Sequence, residues 1–173
     1  MAAKETYIGL LSDTHGFMDQ QILDYLDGVD EIWHAGDFGN MQVAEALEEI
    51  APLRGVYGNI DGQDVRLAFP LNEIFDLQGL SCWMTHIAGR PGRYPVRIRE
   101  GIAEHRVKLF VCGHSHIALA GRDPASGALH LNPGAAGRHG FHKVRTMMRF
   151  HIREAKVEQL ELIELGARST RQS

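Results

Sequence analysis

The chain has 173 residues, of which 44% are hydrophobic and 23% are charged, and this composition is ordinary for a globular protein. This length is enough for one well-buried domain and short for two, so we predict a single domain over residues 1–173. The formal net charge of -4 argues against a nucleic-acid partner, because phosphate backbones attract basic surfaces.

The first third of the chain alternates between short apolar runs, which predict strands, and apolar residues at helical spacing. In chain order we predict a strand at 7–11, a helix at 18–26, a strand at 30–35, a helix at 43–50 and a strand at 53–57. Strands that alternate with helices in this way are typical of a parallel sheet built from βαβ units.

The remainder of the chain predicts more strands than helices. In chain order we predict a hairpin of 73–77 and 81–85, a helix at 96–105, a strand at 107–112, antiparallel strands at 118–122, 128–131, 144–152 and 157–165, and a frayed tail at 166–173. No repeat or linker interrupts these segments, so the whole is predicted to be one mixed α/β domain.

Two further features concern location. No apolar run approaches the roughly 20 residues that span a bilayer, and residues 1–6 lack the order of a secretory signal. Cys82 and Cys112 lie in apolar stretches, which indicates buried thiols in a reducing compartment. We therefore expect a cytoplasmic protein with no membrane partner.

Each of five loops after a predicted strand carries side chains that bind divalent metals, namely Asp13 with His15, Asp37, Asn59, His86, and His114 with His116. Loops at the carboxyl ends of parallel strands converge on one crevice, so we expect these side chains to meet. Residues i and i+2 of an extended strand point the same way, which predicts that each pair holds one ion. The alternative for the second pair is that Gly113 turns the two histidines onto neighbouring ions.

Imidazole, carboxylate and amide ligands without a thiolate disfavour a structural zinc site and suit Mn²⁺, Fe, Zn²⁺ or Mg²⁺ in an open catalytic site, with Mn²⁺ favoured. Seven candidate ligands exceed what one ion uses when water and substrate also bind. We therefore predict two ions about 3.5–4 Å apart. Asp37 is the predicted bridge between them, because only it and Asp13 are carboxylates.

The ordered motifs resemble those of the calcineurin-like metallophosphoesterase family, namely Asp13-x-His15, Gly36-Asp37, Gly58-Asn59, Thr85-His86, Gly113-His114-Ser115-His116 and, after them, Asn132-Pro133-Gly134. The resemblance covers residues 7–134 and is greatest to the compact bacterial and archaeal phosphodiesterases, which are related to the retromer subunit Vps29. Each motif alone is weak, but five in order are strong. The resemblance implies a four-layer αββα sandwich of the metallo-dependent phosphatase type.

The resemblance also implies a division of labour among the ligands. The first metal would be bound by Asp13, His15, Asp37 and His116, and the second by Asp37, Asn59, His86 and His114. A water or hydroxide between the ions would attack phosphorus in a small phosphoester, with a diester preferred over a monoester. The alternative is a metal-binding scaffold of the Vps29 kind with little or no activity. The acidic charge disfavours a nuclease, and the natural substrate and oligomeric state are left open.

Two positions depart from the family pattern. Ile60 stands where many members have a His or Cys that protonates the leaving group or holds the substrate, and Ile87 stands where a Gly usually follows the histidine. Other residues have two open interpretations, as groups that orient a ligand or contact substrate, or as ordinary turn and loop residues: His34, Asp61, Arg90, Arg93, Arg97, Arg138, His139 and His142.

Overall fold

A computed structural model describes residues 3–169. The strands are β1 (Glu5–Leu11), β2 (Glu31–His34), β3 (Leu53–Gly55), β4 (Asn72–Leu77), β5 (Leu80–Thr85), β6 (Leu109–Val111), β7 (Ala118–Arg122), β8 (Leu129–Pro133), β9 (Val144–Arg153) and β10 (Lys156–Ala167). The helices are α1 (Gln20–Leu26), α2 (Met41–Glu48), α3 (Gln63–Ala68) and α4 (Val96–Glu104).

The strands form two five-stranded sheets, in the orders β10-β9-β1-β2-β3 and β4-β5-β6-β8-β7. The predicted βαβ units are present, since β1 pairs in parallel with β2 and β2 with β3. In the second sheet β5 and β6 are also parallel. The strand predicted at 128–131 is antiparallel to β7 but parallel to β6, so the second sheet is mixed rather than purely antiparallel at this end.

Apolar clusters separate the layers. The middle cluster lies between the sheets and takes Leu10 and Trp33 from the first sheet and Met84 and Val111 from the second. The outer face of the first sheet packs against α1, α2 and α3 through residues such as Ile22, Leu47 and Val65, and that of the second packs against α4 through Ile98 and Ile102. The order of layers is therefore helix, sheet, sheet, helix.

The starts of α1 and α2 follow from their capping residues. Asp19 and Asn40 accept hydrogen bonds from the backbone N–H groups of Ile22 and Val43, so α1 begins two residues later than predicted. α3 was not predicted, because its six residues bury only Val65 and show no apolar period.

The end of the chain differs from the prediction. Gly166 and Ala167, expected in a frayed tail, continue β10 and pair with Arg145 and Val144. The remainder of the predicted tail at 170–173 lies outside the described residues. Cys82 and Cys112 are both buried free thiols, as expected. None of the helices formed by residues 3–169 has the length and the apolar run that a membrane span requires.

Candidate metal centre

The seven residues singled out from the sequence come together where β1, β2, β3, β5 and β6 end. Asp13, His15 and His116 form one group and Asp37, His86 and His114 a second, and within each group the ligand atoms lie within 4.8 Å of one another. Asn59 joins the second group, since its Oδ1 lies 3.0 Å from Nδ1 of His114. Asp13, Asp37 and His86 form a buried floor, and Asn59 and His114 an exposed rim.

In the first group, Asp13 directs one carboxylate oxygen at the histidines. Its Oδ1 lies 3.1 Å from Nε2 of His116 and 3.9 Å from Nε2 of His15. Its Oδ2 accepts hydrogen bonds from the hydroxyl of Ser12 at 2.7 Å and from the backbone N–H of His114 at 3.0 Å. The second oxygen thus fixes the carboxylate and leaves the first free to bind a cation.

In the second group, His86 is oriented by the backbone of the opposite sheet. Its Nδ1–H donates to the carbonyl of Ala35 at 2.7 Å, which leaves the Nε2 lone pair facing the centre, 3.2 Å from Oδ2 of Asp37. Burial lowers the pKa of His86, but the neighbouring carboxylates of Asp37 and Asp13 outweigh burial and raise it. Burial raises the pKa of Asp37, but the contacts with His86 and the Ile60 N–H lower it by more. The net effect is a lowered pKa.

Asp37 lies between the two groups. Its Oδ2 is 3.2 Å from Nε2 of His86 and 3.5 Å from Nε2 of His15, and its Oδ1 accepts a hydrogen bond from the Ile60 N–H at 3.1 Å. Asp13 also approaches the second group, with Oδ1 3.8 Å from Nε2 of His86. One oxygen that contacts histidines of both groups is the geometry that a bridging ligand needs.

Among residues 3–169, three buried polar atoms at the centre have no hydrogen-bond partner: Oδ1 of Asp13, Nε2 of His15 and Nε2 of His86. A buried, unpaired polar atom costs free energy, so such atoms are rare in folded proteins. Here three of them are directed at one another, and all are lone-pair donors of the kinds that bind transition metals. The residues present therefore fit divalent cations.

The backbone at the centre is left-handed, which contradicts one sequence expectation. Five ligands have positive φ, namely Asp13 (54°), His15 (47°), Asp37 (59°), His114 (71°) and His116 (62°). The pairs are consequently not extended, and the rule that i and i+2 point the same way does not apply. His114 and His116 belong to different groups of ligand atoms, which favours the alternative of neighbouring ions over one shared ion.

Two glycines allow the close approach of neighbouring loops. A Cβ at Gly58 would overlap Oδ1 of Asp37, and a Cβ at Gly113 would overlap the Ser12 hydroxyl and crowd Oδ2 of Asp13. Neither glycine has a positive φ. Their role here is therefore to leave room for the carboxylates rather than to permit a turn.

His34 is a structural link between two ligand-bearing loops. Its Nδ1 accepts the Gly36 N–H at 3.1 Å, and its Nε2–H donates to the Thr14 hydroxyl at 3.0 Å. The Thr14 hydroxyl in turn donates to the Phe38 carbonyl at 2.9 Å. Burial lowers the pKa of His34 to about 3, so the ring is neutral and holds the loops after β1 and β2 together.

Asp61 serves both of the roles left open by the sequence. This buried carboxylate accepts backbone N–H groups from Phe38 at 3.2 Å, Gly39 at 2.9 Å and Gly58 at 2.8 Å. It therefore joins the loop that carries Asp37 to the loop that carries Asn59. Sequence reasoning had only the turn composition of residues 58–62 as a signal, and that composition does not reveal the contact to the other loop.

The centre opens into a cleft of about 390 Å³, here called the site cleft, whose remaining lining includes Ile60, Ile117, His139, Phe141 and His142. The His139 ring stacks on His15 with 4.7 Å between ring centroids. Nε2–H of His142 donates to the Gly137 carbonyl at 2.9 Å. Arg138 instead lies over the Phe17 ring. Of the residues following the Asn-Pro-Gly turn, the two histidines therefore reach the site.

A second cleft of about 570 Å³, here called the arginine cleft, adjoins the first and shares His114, Ser115 and Ile117 with it. Arg90 and Arg93 line it, together with Leu119. Arg97 lies outside it and donates to the carbonyl of Ile87.

Residues 7–155 match the model of the calcineurin-like phosphoesterase superfamily domain. The chain belongs to this superfamily. A probable metallophosphoesterase from Methanocaldococcus jannaschii is 28% identical over 136 residues, which span 74% of this chain and 67% of that relative. The predicted family is thus confirmed, and with it a general assignment to the metal-dependent phosphoesterases.

Two solved structures share the fold. One is described as a novel archaeal phosphodiesterase, with a TM-score of 0.71, 21% identity and coverage of 92% of this chain and 99% of that one. The other is zinc-bound Vps29 from Entamoeba histolytica, with a TM-score of 0.67, 16% identity and coverage of 91% and 98%. These likenesses confirm the predicted fold class, two mixed sheets flanked by helices in one domain.

Proposed function

We propose that this metallophosphoesterase is a phosphodiesterase that uses two divalent cations. The observation that carries the proposal is the convergence of the unpaired Oδ1 of Asp13 with the unpaired Nε2 atoms of His15 and His86, on a floor that Asp37 spans. Two groups of ligand atoms lie side by side, and one carboxylate oxygen contacts both. The archaeal protein with the same fold, which is described as a phosphodiesterase, supports the assignment to diesters.

Asp13, His15, Asp37 and His116 would bind one cation, and Asp37, Asn59, His86 and His114 the other, with Mn²⁺ favoured over Fe, Zn²⁺ and Mg²⁺. When bound, such cations polarise phosphoryl oxygens and lower the pKa of water. The protein's own contribution is orientation. The Ala35 carbonyl fixes the His86 ring, the His114 N–H fixes Asp13, and the Ile60 N–H fixes Asp37.

The shape of the surface supports a diester. A diester has two organic substituents on phosphorus, and two clefts meet at the centre, since the site cleft and the arginine cleft share His114, Ser115 and Ile117. The side chains of Ile60 and Phe141 line the site cleft and are exposed. Apolar side chains suit the second organic group of a diester better than the second negative charge of a phosphate monoester.

The test is turnover of bis(p-nitrophenyl) phosphate and p-nitrophenyl phosphate by metal-free protein supplied with Mn²⁺. We expect faster turnover of the diester, with loss of activity on chelation and in His86→Ala. His105→Ala is the matched control, because this exposed histidine follows α4 and lies outside both clefts. A preference for the monoester would contradict the proposal.

The Vps29-like scaffold remains the second candidate, and one observation favours it. Ile60 is 46% exposed at the edge of the centre, where the family's proton donor usually stands, and an apolar side chain there suits a protein partner. Binding of two metal ions without hydrolysis of any diester would favour the scaffold.

A further inference from the structure

The loop between β5 and α4 presents two arginines on one anchored turn. The N–H of Arg93 donates to the carbonyl of Arg90 at 3.0 Å, which closes the turn. The Gly92 N–H donates to Asp123 at 2.9 Å, and the Tyr94 hydroxyl hydrogen-bonds to Nδ1 of His130 at 2.6 Å. Backbone and side-chain contacts thus hold the turn on both sides of the arginines.

The two guanidinium groups carry positive charge that the protein does not neutralise. Within residues 3–169, neither Arg90 nor Arg93 forms a salt bridge. The carboxylate of Asp123, which contacts the turn, already accepts hydrogen bonds from the Gly92 N–H and from the N–H and hydroxyl of Ser126. A chain of net charge -4 therefore keeps two exposed cations beside its candidate metal centre.

The other polar groups that line the arginine cleft are neutral or engaged within the protein. The side-chain N–H groups of Asn132 donate to the Gly113 carbonyl at 3.0 Å and to the Ser115 hydroxyl at 3.1 Å. The His130 ring is buried against Tyr94 and Cys112. The groups of this cleft that are left to bind a ligand are thus two arginines and the apolar side chains of Ile117 and Leu119, in the same lining as His114.

We propose that Arg90 and Arg93 form an anion subsite, and that the substrate carries a second anionic group, a carboxylate or phosphate, on one ester substituent. A short carbon spacer would lie along Ile117 and Leu119, since both exposed side chains line the arginine cleft and Ile117 also lines the site cleft. Planar guanidinium groups bind carboxylate and phosphate oxygens in pairs of hydrogen bonds, which makes both anions suitable. This inference rests on the proposed function, because it assumes that the phosphorus binds at the metal centre.

The experiment is calorimetric titration of the Mn²⁺-supplied protein with three phosphonates of similar length that differ at the far end: propylphosphonate, 2-carboxyethylphosphonate and 2-aminoethylphosphonate. We expect the carboxylate compound to bind about five- to tenfold more tightly than the propyl compound, a modest factor because the arginines are exposed. The amine should bind more weakly than either. A fourth compound, 2-phosphonoethylphosphonate, distinguishes the anions, since preference for it over the carboxylate identifies a phosphate.

The double variant Arg90→Ala with Arg93→Ala should bind 2-carboxyethylphosphonate no more tightly than propylphosphonate, and its affinity for propylphosphonate should equal that of the wild type. Arg99→Ala is the control, because Arg99 is an exposed arginine of α4 outside both clefts. Equal affinity of the wild type for all compounds, or no detectable binding of any, overturns the subsite.

Failure of the proposed function gives a different result. If no diester is hydrolysed, the proposed activity is wrong. The calorimetric comparison of 2-carboxyethylphosphonate with propylphosphonate still tests the subsite. If diesters are hydrolysed but the phosphonates bind alike, the activity stands and the subsite is wrong.

Discussion

Oδ2 of Asp37 lies 3.2 Å from Nε2 of His86, and the two residues come from different sheets. Asp37 follows β2 of the first sheet, and His86 follows β5 of the second. The candidate metal centre therefore forms only where the two sheets pack face to face. Cations bound there would favour the packed state over the unfolded one.

We expect two divalent ions per chain at saturation, and a higher midpoint of thermal unfolding in their presence. Elemental analysis after dialysis gives the number, and thermal unfolding with and without Mn²⁺ gives the shift. His116→Ala and His114→Ala should each reduce the number by one, because each removes a ligand from a different group. A single ion in the wild type at saturation would refute the division into two sets.

Asp37→Asn should reduce kcat/KM about tenfold more than Asn59→Ala, a difference of about 1.4 kcal/mol in activation free energy. The reason is that Oδ2 of Asp37 contacts histidines of both groups, whereas Asn59 contacts only the second. Removing the negative charge also leaves two cations less well screened from each other. Equal losses in the two variants, with folding intact, would count against the bridge.

Asp61→Ala should weaken metal binding about 10- to 100-fold without removing a ligand, because it frees the loops that carry Asp37 and Asn59. It should also lower the free energy of unfolding of the metal-free protein by about 3 kcal/mol, since buried N–H groups lose a charged acceptor. Asp64→Ala, an exposed neighbour, is the control. Metal titration and chemical denaturation measure the two effects, and an unchanged metal affinity would show that Asp61 is only a turn residue.

Ile60 occupies the position at which many family members have a His or Cys as proton donor, and its side chain cannot donate a proton. We expect the activity on aryl phosphodiesters to fall steeply as the leaving group becomes more basic, with a deficit of about 10²–10⁴-fold for poor leaving groups. Ile60→His should raise activity on poor leaving groups and leave activated ones nearly unchanged. The measurement is kcat/KM across a series of leaving-group pKa values for both proteins. A flat dependence in the wild type would mean that another group donates the proton.

The unfolding free energy should fall in mild acid, and His130 contributes to the fall. Burial lowers its pKa from 6.5 to about 4, so between these values the unfolded chain binds a proton that the folded protein excludes. The contribution of His130 to stability is therefore complete above pH 6.5 and is lost as the pH falls towards 4, by about 3 kcal/mol. Chemical denaturation of wild type and His130→Gln over this range tests it, and the variant should show the smaller decline.

The strands and the convergence of the candidate metal ligands could be predicted from the sequence because both follow from local pattern. Apolar runs mark β1, β2 and β6, and the polar residues after them mark the edge where loops meet. The family order then supplied the grouping of His114 and His116. Spacing alone favoured one shared ion for these two histidines, and its premise of an extended backbone is wrong, because their φ angles are 71° and 62°.

What the sequence did not reveal depends on contacts between distant segments. Three kinds of contact join separate loops: the hydrogen bonds that Asp61 accepts from three backbone N–H groups, the hydrogen bond from His34 to Thr14, and the stacking of His139 on His15. The short helix α3 could not be predicted for a related reason. Only its Val65 is buried, so its sequence has no apolar period and its packing determines its conformation.

The left-handed backbone at five of the ligands has a consequence for protein engineering. Each such non-glycine residue is held in a conformation that an isolated peptide disfavours by about 1–2 kcal/mol, and the surrounding fold must impose it. A linear peptide that copies Gly113-His114-Ser115-His116 should therefore bind metal weakly and without the native arrangement. To transplant this centre, a designer would have to move the ends of both sheets together with the loops. The motif alone supplies the side chains but does not impose the backbone conformation that positions them.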